Sequence, residues 1–196
     1  MPARHREFAA GWRRLHPDWK YRMWGDGDLP ALQNRDLYDR AEELCPSLAG
    51  QLRSDIVRYE LLYQFGGVWV DTDFECFKAI DGLLPGVSCF AAWVTREWLN
   101  NAIMGAEPGH PFIGRLIEGL PASIAERPGE APRVVSGPQY LTRQWRCDDG
   151  GLTVFPKEMF YEMTWSELRR LGEPPHPNEY ARHHWHNRHR ERGLAL

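Results

Sequence analysis

The chain is organised around a helix whose apolar positions recur every three or four residues and stop at a pair of glycines. These apolar positions are Leu48, Leu52, Ile56, Tyr59 and Tyr63. Because this spacing places the side chains on one helical face, it predicts a helix that continues to about Phe65. Gly66 and Gly67 follow at once, and glycine commonly ends a helix in a left-handed conformation. Asp55 and Arg58 lie three residues apart, which puts a charge pair on one face of this helix.

Before this central helix, the pattern of apolar and polar residues predicts three further elements. Residues 3–16 have Phe8 and Trp12 on one helical face, which indicates an amphipathic helix. Residues 19–24 alternate between large apolar and basic side chains, which predicts a half-buried strand. Residues 29–44 have a weaker helical pattern and predict one or two short helices.

After the glycines, the pattern predicts that strands and helices alternate. Residues 68–70 are wholly apolar, which is typical of an interior strand in an α/β sheet. The rest of the pattern predicts, in order, a strand at 87–94, a helix at 112–120, an exposed loop at 121–132, a turn at 134–138, a helix at 139–145 and a strand at 152–155. This alternation predicts an α/β fold.

The apolar strand runs directly into two aspartates, Asp71 and Asp73. In extended backbone, two residues spaced in this way point to the same side of the sheet. Two unpaired carboxylates would repel each other, so a divalent cation is the simplest partner for them. Carboxylate oxygens favour magnesium, manganese or calcium, and such an ion completes its shell with water and substrate phosphates. Taken alone, the D-x-D pattern is equally typical of a solvated surface turn.

Composition limits the classes of protein to consider. A chain of 196 residues with 42% apolar residues is long enough for one domain, which we expect to span residues 1–196. A net charge of −3 and a pI near 6.2 argue against nucleic acid or a membrane surface as the main partner. No leader sequence or membrane-spanning apolar run stands out, so we expect a cytoplasmic protein. The four cysteines are widely separated, which fits reduced thiols.

Residues 54–58 (S-D-x-x-R) and residues 66–73 (G-G-V-W-V-D-T-D) together resemble the sugar-binding DxD region of glycosyltransferase family 32 and its relatives. Further parts of the chain also resemble this family, namely the N-A-I-M-G-A segment with its P-G-H-P continuation, the G-P turn at residues 137–138 and the A-x-H-H-W segment near the end. The resemblance implies a GT-A type α/β fold, in which helices flank a Rossmann-like, nucleotide-binding sheet. It also implies a nucleotide-sugar donor and a retaining transfer without a protein nucleophile.

The resemblance also implies roles for individual residues. Asp73 would bind Mn²⁺ or Mg²⁺, and Asp71 would reach the ribose or the sugar. Asp55 and Arg58 would hold sugar hydroxyls. Trp69 and Asn101 are expected near the donor sugar, although an asparagine in an ordinary turn is as good an interpretation of Asn101 alone.

The C-terminal segment places four of the eight histidines within seven positions. It is typical of a solvated, tag-like cluster or of a zinc site, although cysteines or carboxylates at familiar spacing are missing. The family resemblance implies a third interpretation, in which His183, His184 and Trp185 close over the donor and His183 reaches the metal. Family members usually continue to Ser-Trp after two residues, where this chain has Arg188-His189, and Arg188 would add positive charge near the diphosphate.

Members of this family usually begin with an apolar first strand, and this chain lacks it at its beginning. The start is then either truncated or that of a shortened member. We expect an incomplete nucleotide site and an exposed apolar flank of the sheet, which would favour self-association.

These observations predict a metal-dependent, retaining glycosyltransferase that acts on a glycan, a protein or another hydroxyl-bearing acceptor. One alternative is a non-catalytic module that binds sugar nucleotides or carbohydrates. A second is a metal-dependent phosphohydrolase of the haloacid-dehalogenase type, which V-W-V-D-T-D also resembles. That pattern requires Thr or Val two residues after the second aspartate, but Glu75 stands there.

Overall fold

The computed structural model describes residues 2–186. Its helices are α1 (Ala3–Leu15), α2 (Arg35–Asp39), α3 (Ala41–Leu44), α4 (Ala49–Phe65), α5 (Pro111–Ala125), α6 (Pro132–Val135), α7 (Pro138–Cys147) and α8 (Lys157–Phe160). Its strands are β1 (Gly67–Val70), β2 (Phe74–Cys76), β3 (Cys89–Trp93), β4 (Leu99–Ala106), β5 (Thr153–Phe155) and β6 (Ala181–His183). Short 3₁₀ turns occupy Asp26–Asp28, Asp81–Leu83 and Leu168–Arg170. The predicted mixture of helices and strands is confirmed.

The strands form a four-stranded sheet in the order β1-β4-β3-β5 and a two-stranded sheet of β2 and β6. In the larger sheet, β4 pairs antiparallel with both β1 and β3, whereas β3 and β5 run parallel. The two faces of this sheet bury different cores, because side chains alternate along each strand. Met104 of β4 packs in the core beneath α4 and α5, while the neighbouring Ile103 packs in the core that contains Trp12 and Phe74.

The strand at residues 68–70 was predicted to be interior, and this is wrong for the part of the chain that the structure describes. There β1 pairs with β4 alone and lies at the edge of the sheet. Its residues are at most half-buried. A wholly apolar run predicts a strand, but it does not specify how many neighbours the strand has.

The predicted strand at residues 19–24 does not form, although the side chains alternate as expected. A strand requires a hydrogen-bonded neighbour, and this segment has no ladder partner within residues 2–186. Tyr21 and Met23 are therefore 39% and 40% exposed, and Phe65 is 54% exposed at the end of α4. None of these three residues belongs to a strand, so the exposed flank of the sheet and the self-association both stay predictions.

The predicted central helix is confirmed as α4, which ends at Phe65 as expected. It is buried on more than one side, because Leu52 and Ile56 enter the core while Asp55, Arg58 and Glu60 are also buried. The polar side of α4 faces the carboxyl end of β1, and this position makes α4 a wall of the site described below.

The loop predicted from residue 121 is wrong in its first part, because α5 continues through Pro121 to Ala125. A proline within a helix cannot donate a hydrogen bond to the carbonyl four residues earlier, which here belongs to Ile117. The side-chain amide of Asn34 donates to that carbonyl instead, at 2.9 Å. This distant hydrogen bond satisfies the carbonyl that the proline leaves without its usual partner.

Replacing Gly66 by alanine is expected to destabilise the fold by about 3 kcal/mol, whereas Gly67→Ala should cost about 1 kcal/mol. Both glycines have positive φ angles, 66° and 89°. Only at Gly66 would an added Cβ meet another residue, lying 2.6 Å from Cδ of Pro108, while nothing lies within 4 Å at Gly67. Urea denaturation of the two variants would measure this difference. Equal losses would contradict the role assigned to the contact with Pro108.

Candidate functional site

A cavity of about 1430 Å³ opens at the carboxyl end of β1, between α4 and the C-terminal segment. Most of the residues predicted to form the site line it. They are Asp55, Arg58, Trp69, Asp71, Asp73, Asn101, His183 and Trp185. His184 is the exception among the predicted residues that the structure describes, and Arg188 lies outside the described residues.

Asp71 directly follows β1, and its backbone N–H donates to the carbonyl of Ala102 on β4 at 2.8 Å. Its Oδ1 atom accepts a 2.7 Å hydrogen bond from Nε1 of Trp69. The same oxygen lies 3.0 Å from Nη2 of Arg58. These contacts fix the orientation of the carboxylate and place a positive charge behind it, on the side of α4.

Asp55 and Arg58 line the same cavity as Asp71, as the sequence predicts. Arg58 Nη2 lies 3.5 Å from Asp55 Oδ1 and 3.0 Å from the hydroxyl of Ser54, and Nη1 donates to the carbonyl of Asn101. Burial raises the pKa of Asp55, although the charge of Arg58 opposes this change. Asp55, Arg58 and Asp71 thus form a buried charge network. Arg58 is the one cation among these three residues.

Asn101 lies within β4 and not in a turn, so the alternative interpretation of this residue is wrong. Its side-chain amide donates to Asp55 Oδ1 at 2.8 Å and to the hydroxyl of Tyr59 at 3.1 Å. Asn101 is therefore buried beside the charge network, and it holds Asp55 in place.

Ser136 was not predicted to be a site residue, because the sequence predicts only a turn at residues 134–138. The Ser136 hydroxyl donates to Asp55 Oδ2 at 2.8 Å, and its carbonyl accepts from the hydroxyl of Tyr59 at 2.7 Å. Both oxygens of Asp55 are thus occupied. A serine before a Gly-Pro turn carries no sequence signal for a partner 81 positions away.

Asp73 lies in the turn between β1 and β2 and contacts the C-terminal segment. Its Oδ1 atom lies 3.1 Å from Nε2 of His183, and its Oδ2 atom accepts from the backbone N–H of His186 at 2.9 Å. Burial alone would raise the pKa of Asp73, but the interactions with His183 and His186 outweigh it and lower this pKa below its usual range. The antiparallel pairing of β2 with β6, which sets Phe74 opposite His183, creates this arrangement.

Asp71, Asp73 and His183 form a group that fits a divalent cation. One ligand atom from each residue lies within 4.8 Å of the others. Adjacent ligands of an octahedral ion with bonds of about 2.1 Å are about 3 Å apart, close to the 3.1 Å between Asp73 Oδ1 and His183 Nε2. Nδ1 of His183 is buried without a hydrogen-bond partner among the described residues, so it can carry the proton that leaves Nε2 free to coordinate.

His184 does not join this group. Its Nε2 atom pairs with Glu75 Oε2 at 2.8 Å, and its ring packs against Phe8 on α1. The hydrogen bond from His184 lowers the pKa of Glu75. Consecutive side chains of extended backbone point to opposite sides, so His183 faces the cavity and His184 faces away from it. The expectation that His184 contacts the donor is therefore not supported by its position.

Trp185 closes one side of the cavity over His183, with ring centroids 4.1 Å apart. Its Nε1 atom donates to the carbonyl of Met163 at 3.1 Å, and its φ angle is 53°. A solvated, tag-like histidine cluster is contradicted for the described part of the segment, because His183, His184 and His186 are all buried.

Within residues 2–186, no helix has the length and apolar character that crossing a membrane requires.

Comparisons with known proteins show what this chain is similar to. Residues 2–90 match a family model described as the glycosyltransferase sugar-binding region containing a DXD motif. Inositol phosphoceramide mannosyltransferase 3 from Schizosaccharomyces pombe is 31% identical over 136 residues, which cover 67% of this chain and 37% of that protein. Lactosylceramide 4-alpha-galactosyltransferase from Rattus norvegicus is 30% identical over 139 residues, which cover 65% of this chain and 36% of that protein.

Among solved structures, PaToxG Glycosyltransferase superposes with a TM-score of 0.56 at 12% sequence identity. The match covers 76% of this chain and 65% of that chain. At this level of identity, the likeness concerns the fold alone. The chain spans between a third and a half of the length of the two transferases named above.

Proposed function

We propose that this chain, a family-32-like glycosyltransferase with a DXD sugar-binding region, requires a divalent metal for its activity. It would transfer a sugar from a nucleotide-sugar donor to a hydroxyl group of a glycan or a glycolipid. The observation that carries this proposal is the convergence of Asp71, Asp73 and His183 at the end of β1, inside a cavity large enough for both substrates.

Mn²⁺ is the metal that we propose, with Mg²⁺ as the alternative. Carboxylates suit both ions, but an imidazole ligand favours a transition metal over magnesium. When bound, the ion would neutralise the charge that develops on the leaving nucleotide diphosphate. Asp73 and His183 would hold it from the side of β2 and β6, and Asp71 from β1.

The other residues of the cavity would orient the donor. Arg58 and Trp69 both hold Oδ1 of Asp71, which leaves Oδ2 of that carboxylate for the donor or the ion. Because both oxygens of Asp55 already have partners, we propose that Asp55 acts mainly by fixing Asn101 and Arg58. Trp185 would cover the donor from the side of the C-terminal segment.

We also propose the class of acceptor and the stereochemistry of the transfer. The named relatives act on ceramide lipids, since one is an inositol phosphoceramide mannosyltransferase and the other a lactosylceramide galactosyltransferase. This supports a glycolipid acceptor over a protein acceptor. We keep retention of the anomeric configuration as part of the proposal, and NMR of the product's anomeric proton would test it.

Release of a free nucleoside diphosphate from a panel of nucleotide sugars, with Mn²⁺ and with EDTA, tests the proposed activity. The expected result is Mn²⁺-dependent release from one donor, which increases when a glycolipid acceptor is added. Donor binding without release would favour the non-catalytic binding module. Release of inorganic phosphate without any diphosphate would favour the phosphohydrolase.

A further inference from the structure

A chain of hydrogen bonds joins three distant segments on the outer side of Asp73. Nδ1 of His5, in the first turn of α1, lies 3.0 Å from the hydroxyl of Thr72, the residue between the two aspartates. Nε2 of His5 faces Nδ1 of His186 in hydrogen-bond contact. The backbone N–H of His186 then donates to Asp73 Oδ2 at 2.9 Å. Since Thr72 and Asp73 are neighbours in the chain, these contacts close a ring.

We propose that His5 is a positioning residue that closes this ring and thereby holds the segment after β6 against the D-T-D turn. The ring joins residues far apart along the chain, because His5 is 67 positions from Thr72 and 181 positions from His186. The contacts of His5 with Thr72 and His186 are sufficient for this role. The inference rests on the proposed function only where it concerns the metal, because the ring itself is made of protein atoms.

The hydrogen-bonding capacity of two neutral imidazoles matches the ring. A neutral imidazole has one N–H donor and one acceptor nitrogen. If His5 donates from Nε2 to His186, its Nδ1 atom is free to accept from the Thr72 hydroxyl. The reverse direction is equally consistent, because the Thr72 oxygen can also accept. The two ring planes lie within 15° of each other, with centroids 4.4 Å apart.

The ring has a consequence for the metal group. His183 contacts Asp73 from one side, and His186 holds the other oxygen of the same carboxylate. Fixing His186 through His5 therefore limits the rotation of Asp73 and keeps β6 close to the turn. Residues that orient metal ligands without touching the ion typically contribute about 10-fold to 100-fold in metal affinity.

A second metal ion held between His5 and His186 is the competing interpretation. In the described part of the chain, the only group of three or more candidate ligands within reach of one another is Asp71, Asp73 and His183. Within residues 2–186, the imidazole pair does not belong to such a group, whereas a hydrogen-bonded pair needs no third ligand. This difference favours the positioning role.

The test compares His5→Ala, Thr72→Val and the double variant with the parent protein. Two quantities are measured: hydrogen exchange of the His186 amide in the metal-free protein, and Mn²⁺ affinity by electron paramagnetic resonance. Each single variant is expected to speed exchange at His186 and to weaken Mn²⁺ binding by about 10-fold. Since both variants open the same ring, the double variant should lose no more than His5→Ala alone.

Glu7→Ala is the matched control, because Glu7 is exposed on the same helix and lies outside the cavity. It should behave as the parent protein does. The positioning role is overturned if His5→Ala and Thr72→Val both exchange at His186 as slowly as Glu7→Ala, or if their losses add in the double variant. It is also overturned if the parent binds a second equivalent of Zn²⁺ that His5→Ala removes.

A parent protein that binds no Mn²⁺ would contradict the proposed metal-dependent function, and the exchange measurement alone would then decide whether the ring exists. If His5→Ala does not fold, Thr72→Val still tests the proposal. That variant removes one hydroxyl from an exposed side chain and keeps its shape.

Discussion

Asp73→Asn is expected to abolish Mn²⁺-dependent binding of the nucleotide sugar, with a loss in metal affinity of more than about 100-fold. The variant keeps the size of the side chain but removes the negative charge that faces His183 at 3.1 Å. An amide is a poor ligand for a hard cation compared with a carboxylate. Mn²⁺ titration followed by electron paramagnetic resonance would measure the loss, and thermal shift with each nucleotide sugar would measure donor binding.

Asp36→Asn provides the matched control, because the same chemical change is then made on α2, outside the cavity. It should leave Mn²⁺ binding unchanged. If Asp73→Asn binds Mn²⁺ and donor as tightly as the parent, the metal does not lie between Asp71, Asp73 and His183. The proposed function would then lose the observation on which it depends.

Features that depend on residues close together in sequence were predicted well. The spacing of apolar residues gave α4, the glycine pair gave its end at Phe65, and the apolar run gave β1 with Asp71 directly after it. The family resemblance of the DXD region is also confirmed by the matched family model. Each of these signals lies within about twenty consecutive residues, so no distant partner had to be known.

Features that depend on a distant partner were missed or misjudged. Helix α5 passes through Pro121 because Asn34, far away in sequence, supplies a hydrogen bond to Ile117. Residues 19–24 have the alternation of a strand, but alternation alone does not provide a neighbour to pair with.

In the candidate site, too, the residues within local motifs were predicted, and those that depend on a distant partner were not. Asp71 and Asp73 are visible as a motif, and Arg58 is visible as part of a second motif on the preceding helix. The direction of His184 could not be predicted, because the pairing of β6 with β2 determines which histidine faces the cavity. Ser136 has no motif at all, and only the packing of the turn before α7 against α4 brings its hydroxyl to Asp55.

Arg58→Met is expected to lower the free energy of unfolding by about 3–5 kcal/mol, because it removes the cation from a buried charge network. The Arg58 side chain is 4% exposed, and it contacts both Asp71 and Asp55. Methionine fills much of the volume but leaves the two carboxylates without a positive partner. Urea denaturation with linear extrapolation would measure the change.

Arg40→Met is the control for this variant, since Arg40 makes its ion pair with Glu43 on the surface, with both side chains about half exposed or more. Solvent screens such a pair, so the stability should not change measurably. Arg58→Lys should fall between the parent and Arg58→Met, because a lysine keeps the charge but cannot reproduce the contacts of a planar guanidinium with Asp71, Ser54 and Asn101. If Arg58→Met is as stable as Arg40→Met, water must reach Asp71 and Asp55, and the cavity wall is more open than the distances around Arg58 indicate.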